Sequence, residues 1–386
     1  MDESRNMVAF VQPFSLDGKA GGARILRTLV ESAPEPCLSV NTAVGNPPDA
    51  AEGEIHVPGR PVVPVLDRFA RIQRLVTSNL DVLYGGDLEN RLVTAFKKNG
   101  VTAVHAIPHG IDFWYAFRAA RKIGVPFFLN VHDELYYNLY GVPYLSYAVK
   151  RLAEVWRNAD GVFVISEVMG EEYCRRYGQR DYTIVTDGLT QVASQPRSVA
   201  SQSRRVYMMG SAHMSYRENF RVLFEGLSLL KDAHPDWNIS LTIRGGFPYD
   251  VQSSIPLIQL PWGTQEEVES DLDEVDILYM PLPFEERHAP LARFSMATKL
   301  ITYLGSGLPI LFHGPEYAAA CRLLRKYDAA TIVDANEATL LASTITDGTE
   351  FGQKAENALH LARTQFMASH QRSKFWSVLG SSHVDA

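Results

Sequence analysis

The sequence predicts an α/β protein built from two doubly wound parallel-sheet domains. Short β-rich runs alternate with amphipathic helical stretches of ten or more residues, the grammar of parallel sheets covered on both faces. The alternation stops at a Ser-, Gln- and Pro-containing segment between Thr190 and Arg205, then restarts. The chain has 386 residues, and roughly 100–200 residues per domain gives two.

In order, residues 8–12 read as a buried strand, and 21–31 as a helix with apolar residues at Ile25, Leu26, Leu29 and Val30. Residues 37–40 and 54–57 are short strands. Helical stretches at 66–80 and 88–98 end at Asn99-Gly100, a good stop. Strand 102–107, helix 112–122, strand 126–131, helix 146–158, strand 161–165, helix 167–177 and strand 182–186 complete a first domain over residues 1–190. Residues 191–205 read as a linker. A second domain from 206 to 360 then holds strands 206–209, 239–243, 257–260, 276–280, 308–312 and 330–333. Helices at 218–233, 265–272, 298–304 and 316–326 lie between them, and a long helical stretch, 337–379, follows. In such sheets ligands sit at the carboxyl ends of the strands, which places the site in a cleft between the domains.

Composition narrows the function. The chain is 46% apolar and 21% charged, ordinary for a globular protein, with 37 basic against 44 acidic residues and a net charge of -7. Neither half is basic, so nucleic acid is not an expected partner. No apolar run approaches the roughly 20 residues that span a bilayer. Asp2 and Glu3 precede the first apolar run, the wrong flank for a secretory signal, so a cytoplasmic setting is expected. Three widely spaced cysteines, Cys37, Cys174 and Cys321, fit neither a disulfide scaffold nor a cysteine zinc cluster.

Several residues fall where a doubly wound domain carries its chemistry. Gly21 and Gly22 open the first helix and let backbone amides approach an anion there; a tight turn explains them equally well. The loop matches neither a nucleoside-triphosphate P-loop nor a dinucleotide fingerprint. His109 and the run His132-Asp133-Glu134 follow neighbouring strands and are expected in the site, whereas His105, inside its strand, reads as a core histidine. In the second domain, Gly210 ends the first strand and Arg217 starts a helix, where a cation is unfavourable unless an anion joins it. Arg244-Gly245 offers a cation and close backbone approach. Ser295, Thr298 and Lys299 gather at a helix N-terminus, a cradle for a diphosphate. Asp271-Leu-Asp273 superficially suggests a metal site, yet sits in an acidic stretch that reads as a solvated helix face.

The order of these pieces resembles the GT-B-fold glycosyltransferases, specifically the retaining group 1 or family 4 enzymes. The resemblance runs through VHAIPH, GVPFFLNVHDE, ADGVFVIS and TDGL, then MGSAHMSYRENF, LTIRGG, VDILYMPLP and SMATKLITYLGSGLPILF. It implies a nucleotide-diphosphate sugar as donor, a hydroxyl acceptor, retention of configuration, and no cofactor or metal. It implies further that Arg217 and Lys299, with Ser295 and Thr298, hold the diphosphate and that His109 lies beside the transferred sugar. Gly210, Arg244 and Gly245 fall on the donor side, and His132, Asp133 and Glu134 on the acceptor side. Trp262 falls where the family reads the base, with core packing equally open. Residues 361–386 correspond to a tail helix crossing back to the first domain. Arg68, Arg71 and Arg74, with Lys150, Arg151 and Arg157, could touch an anionic membrane face, but with about three charges per stretch they read first as an ordinary solvated surface.

Three positions depart from the family pattern. Its ribose-holding glutamate falls at Thr302, the partner glutamate eight residues earlier at Phe294, and an arginine at Ser211. These departures keep open an alternative: a catalytically inactive GT-B protein that binds a nucleotide-sugar or serves an active transferase as partner subunit.

Overall fold

The computed structural model describes residues 6–18, 21–45, 51–62, 70–251 and 253–381. The first half of the chain runs β1 (Met7–Gln12), α1 (Gly21–Val30), β2 (Cys37–Asn41), β3 (Ile55–His56), α2 (Ala70–Leu83), α3 (Gly85–Lys98) and β4 (Val101–Ala106). It continues with α4 (Asp112–Ile123), β5 (Phe127–Val131), α5 (Leu135–Asn138), α6 (Leu145–Asn158), β6 (Gly161–Val164), α7 (Glu167–Tyr177) and β7 (Thr183–Ile184). The second half holds β8 (Ser203–Met209), α8 (Arg217–Ala233), β9 (Asn238–Arg244), β10 (Leu257–Leu260), α9 (Gln265–Asp273) and β11 (Ile277–Pro281). Then come α10 (Ala289–Phe294), α11 (Thr298–Gly305), β12 (Ile310–His313), α12 (Ala319–Lys326), β13 (Thr331–Val333), α13 (Ala338–Asp347), α14 (Phe351–Gln365) and α15 (Ala368–Ser381). The start of the helix expected at 66–80, with Arg68, lies outside the described residues.

The chain divides into two units, Met1–Asp187 with Ala368–Ala386, and Gly188–Met367. The first holds a seven-stranded sheet in the order β3-β2-β1-β4-β5-β6-β7, and the second a six-stranded sheet in the order β10-β9-β8-β11-β12-β13. All pairings between these strands are parallel. Central strands such as β5 and β11 are buried along their whole length, which is why they read as unbroken apolar runs rather than alternating ones. Strand order reverses beside β1 in the first unit and beside β8 in the second. There the loops diverge and open a crevice at the carboxyl ends.

Two expectations change. Residues 191–205 are no free linker: Ala193 and Arg197 donate backbone bonds to the carbonyls of Gly305 and Gly307, both 2.8 Å, and β8 already starts at Ser203. Gly307 has φ +77°, and a Cβ there would lie 2.8 Å from the Gln195 carbonyl oxygen, so this packing requires glycine. The single helix expected over 337–379 is three, broken at Gly348 (φ +56°) and again around Phe366.

The last of them, α15, belongs to the first unit. Phe375 is fully buried among Phe10, His105 and Phe163, with ring centroids 5.9, 5.3 and 4.8 Å away. Trp376 donates its indole N–H to the Leu29 carbonyl (2.9 Å), and Gln371 Oε1 accepts from the Thr186 amide (3.0 Å). His105 is thus a core side chain, as read from the sequence. No helix among the described residues is long and apolar enough to cross a membrane.

Candidate active site

In the first unit the loops after β1, β4 and β5 converge. Gly22, second residue of α1 after Gly21, sits where a Cβ would lie 3.0 Å from the Phe14 ring and 3.4 Å from His109 Cε1. Glycine therefore lets α1 start directly against the His109 ring. Arg27 staples the loop by donating to the Leu16 and Gly18 carbonyls, and Arg24 pairs with buried Asp187 at 2.6 Å. His109 Nε2 lies 3.2 Å from Asp133 Oδ2, with side chains 20% and 45% exposed. His132, only 3% exposed, sets its ring edge to face with His109 at 6.0 Å. Burial first, and the nearby His109 second, push the His132 pKa down to about 3, so this ring is neutral at any working pH.

Glu134 is committed to the fold. Itself buried, it caps α5 by accepting from the Tyr136 amide (3.1 Å) and pairs with the partly exposed Arg176 (3.1 Å). The structure thus brings Gly22, His109, His132 and Asp133 together and turns Glu134 away to a structural role. It also reveals a residue the sequence reading passed over. Asp112, first in α4, accepts from the Thr42 hydroxyl (2.7 Å), and burial pushes its carboxyl up to about 6. Its signal was position alone, three residues after His109 at a helix start.

In the second unit the ends of β8 and β9 are zipped together: Gly210 donates to the Arg244 carbonyl (2.8 Å) and Ala212 to the Gly246 carbonyl (2.7 Å). Gly210 and Gly245 have φ of +88° and +118°, and a Cβ on Gly245 would strike the Gly210 carbonyl at 2.7 Å. Opposite them α11 begins at Thr298 after extended Ser295-Met296-Ala297, with Ala297 as its N-cap, so no side chain caps the first-turn amides. Lys299 lies against this junction, its Cε and Nζ 3.7 and 3.8 Å from where a Gly210 Cβ would be. Its Nζ is buried, has no hydrogen-bond partner among the described residues, and stands 5.5 Å from the Tyr216 ring centroid. Burial alone lowers its pKa to about 8. Such a cation is stabilised by an anion placed beside it.

Arg217 is exposed at the start of α8, its guanidinium 5.9 Å from the Tyr249 ring. Arg244 is a correction. Expected as a donor-side cation, it is 7% exposed and holds Asp271 through Nε and Nη2, the latter at 2.9 Å. Asp271, which also accepts from Tyr207 Oη (2.9 Å), is therefore no solvated face; Asp273 is surface-exposed and pairs with Arg197 (2.6 Å). Trp262 is 53% exposed, so the core-packing alternative falls away. Thr302 and Phe294, at the two family glutamate positions, are both buried. Among the described residues no group of three or more His, Cys, Asp and Glu side chains is placed to hold a metal ion.

Behind this junction lies a buried polar network with no signal in the sequence. Asn219 donates to the Leu282 and His313 carbonyls (2.9 and 3.0 Å), and Tyr279 Oη bridges the Asn219 carbonyl (3.1 Å) and His313 Nδ1 (2.8 Å). It ties α8 to the ends of β11 and β12 and so fixes the floor from which the loops project.

Residues 21–188 match the profile described as Glycosyltransferase Family 4. The first unit carries a family 4 glycosyltransferase domain. The chain as a whole has the GT-B architecture. The solved structures it resembles are whole-length matches at low identity. Anabaena HepE, solved in complex with UDP-glucose, has a TM-score of 0.66 at 13% identity, covering 97% of this chain and 99% of that one. The apo lipopolysaccharide outer core galactosyltransferase WaaB gives 0.61 at 13%, with the same coverage. The trehalose 6-phosphate synthase of Burkholderia multivorans gives 0.59 at 12%, covering 98% and 99%. No curated protein matches in sequence.

Proposed function

We propose that this glycosyltransferase moves a sugar from a nucleoside-diphosphate sugar to a hydroxyl acceptor, with retention of configuration. The observation that carries the reading is the unpaired, buried Lys299 Nζ beside Gly210 and the uncapped start of α11. Departure of a nucleoside diphosphate builds negative charge on phosphate oxygens while an oxocarbenium ion forms at the sugar. Donors already aimed at those oxygens lower that barrier without reorganising. Lys299, the α11 amides with Ser295 and Thr298, and the exposed guanidinium of Arg217 supply such donors, and no divalent metal is then required for the charge. His109, whose Nε2 lies 3.2 Å from Asp133 Oδ2, is the residue this reading sets beside the transferred sugar. Retention follows if the acceptor oxygen attacks from the leaving-group face with the departing phosphate taking its proton. HepE, solved with UDP-glucose and with UDP and glucose, supports a nucleotide-sugar donor for this fold.

The test is a thermal-shift and turnover panel of UDP-, GDP-, ADP- and dTDP-sugars with the Lys299→Ala variant. One donor class should stabilise the wild type, and the variant should lose about 3 kcal/mol of transition-state stabilisation, near a hundredfold in kcat. Wild-type affinity and turnover in Lys299→Ala would sink the proposal. A second reading, donor binding without transfer, draws on the buried Thr302 and Phe294, which put no carboxylate at either family position. Stabilisation by a donor with neither hydrolysis nor transfer would select it.

A further inference from the structure

The chain that follows Asp133 is rich in tyrosine: Tyr136, Tyr137, Tyr140, Tyr144 and Tyr147 fall within three helical turns or so of one another. Two of them face outward. Tyr136 is 48% and Tyr140 68% exposed, with ring centroids 6.5 Å apart and planes at 58°. Leu135 and Leu139, each one position earlier, are buried. The leucines therefore anchor α5 and the turn after it, and the tyrosines take the opposite face. A lone exposed aromatic is ordinary on a protein surface, whereas large rings held side by side in water mark a contact surface.

Hydrogen bonds tie this pair to the candidate site. Glu134 accepts from the Tyr136 amide (3.1 Å). Asp133, whose Oδ2 lies 3.2 Å from His109 Nε2, accepts from the Asn138 side chain. α5 is thereby fixed at the carboxyl end of β5, on the same short run of chain that carries Asp133.

We infer that Tyr136 and Tyr140 form a stacking platform for the acceptor, and that the acceptor is a saccharide. This rests on the reading that a sugar is transferred beside His109, and adds to it the class of molecule that receives the sugar. The face of a tyrosine ring carries partial negative charge. One face of a pyranose is a patch of polarised C–H bonds, so the two surfaces stack, and the phenol hydroxyl remains able to pair with a sugar hydroxyl. Tyrosines also settle at membrane interfaces, and charge separates the two partners. Arg176 is paired with Glu134 (3.1 Å), and Arg151, stacked on Tyr147 at 4.7 Å, is paired with Glu154 (2.7 Å). Asp133 adds a half-exposed carboxylate. An anionic lipid surface is drawn by uncommitted cations, while a neutral sugar face needs none.

Stacking reads the shape of a ring face more than its pattern of hydroxyls, so simple probes suffice. The experiment follows binding of cellobiose and methyl β-glucoside to the full chain by saturation-transfer NMR. Both should bind in the millimolar range, with saturation reaching their axial C–H protons. Tyr136→Ala and Tyr140→Ala should each weaken cellobiose about five- to tenfold. Tyr136→Phe and Tyr140→Phe keep the ring face and should stay within about twofold of wild type. Both sites are exposed, so the urea midpoint of every variant should match wild type. The same proteins are titrated with UDP-, GDP-, ADP- and dTDP-glucose and sedimented with phosphatidylglycerol vesicles. Failure of both saccharides to bind, or equal binding by the alanine variants, overturns the platform. Vesicle binding that the alanine substitutions abolish, without saccharide binding, also overturns it and assigns the tyrosines to a membrane. A donor bound by a chain that ignores both saccharides leaves the donor reading standing. Saccharide binding by a chain that takes no donor supports the platform and sinks the donor reading.

Discussion

Arg217 starts α8 after β8 and Arg244 ends β9, and both read as candidate cations for a bound anion. What each guanidinium faces separates them. Arg244 sits under the loops with Asp271 bound through two nitrogens, its neighbour Tyr207 bonded to the same carboxylate. Arg217 stands exposed, its guanidinium 5.9 Å from the Tyr249 ring. Arg244→Ala strands a largely buried carboxylate and should cost about 3 kcal/mol in urea denaturation, while the folded variant binds its diphosphate ligand nearly as well as wild type. Arg217→Ala should change stability by less than about 0.5 kcal/mol and weaken diphosphate binding. Equal loss of affinity in both variants would show that Arg244 serves the ligand after all. The same limit explains Glu134: a carboxylate after a strand is visible in one dimension, but whether an arginine forty residues later claims it is not.

At the scale of elements, periodicity located nearly every strand and helix, because a buried parallel strand and an amphipathic helix each write their spacing into the chain. The helix at Glu167–Tyr177 has the bounds its pattern gives, opened by Ser166, whose Oγ accepts from the Met169 amide. What periodicity does not carry is breakage and docking. Nothing apolar interrupts the pattern at Gly348, whose positive φ ends α13, and the linker-like 191–205 has no period, yet its backbone is held by the α11–β12 turn. The candidate cradle in the second unit was legible through its glycines and its lysine; the Asn219–Tyr279–His313 network was not, since its members are far apart in sequence. α15 supplies a direct test. Its Phe375 ring completes the aromatic core of the first unit, so Phe375→Ala should cost about 3–5 kcal/mol, read as a shift in the urea midpoint of that unit. A shift below about 1 kcal/mol would mean that the helix is peripheral to the unit's stability.

For the whole molecule, acid sensitivity follows from three buried histidines. Burial pulls His105 well below the ordinary value near 6.5, His132 to about 3 and His313 to about 4. Folded, they stay neutral; unfolded, they take up protons below about pH 6.5, so stability is greatest above that value and falls as pH drops. Each contributes at most about 1.4 kcal/mol per pH unit. Asp112 acts in the opposite sense, since its raised carboxyl is protonated first in the folded state and adds stability as pH falls below about 6. Burial also raises the carboxyls of Asp81 and Glu134 from lower ordinary values, in the same sense as Asp112, so the histidines dominate only in the upper part of the acid range. The urea midpoint should therefore fall from about pH 7 to about pH 5.5 with net proton uptake on unfolding, and a midpoint that holds or rises over that range would contradict the assignment. The division of the chain has a different kind of consequence. Residues 188–367 are threaded between two parts of the first unit, and Phe375 enters that unit's core only from the far side of the insertion. During synthesis the amino-terminal sheet emerges from the ribosome first but waits with an open aromatic seam, while the later-made unit already has every strand it needs. The aromatic core of the first-made unit is therefore complete only after the chain beyond residue 367 has been made.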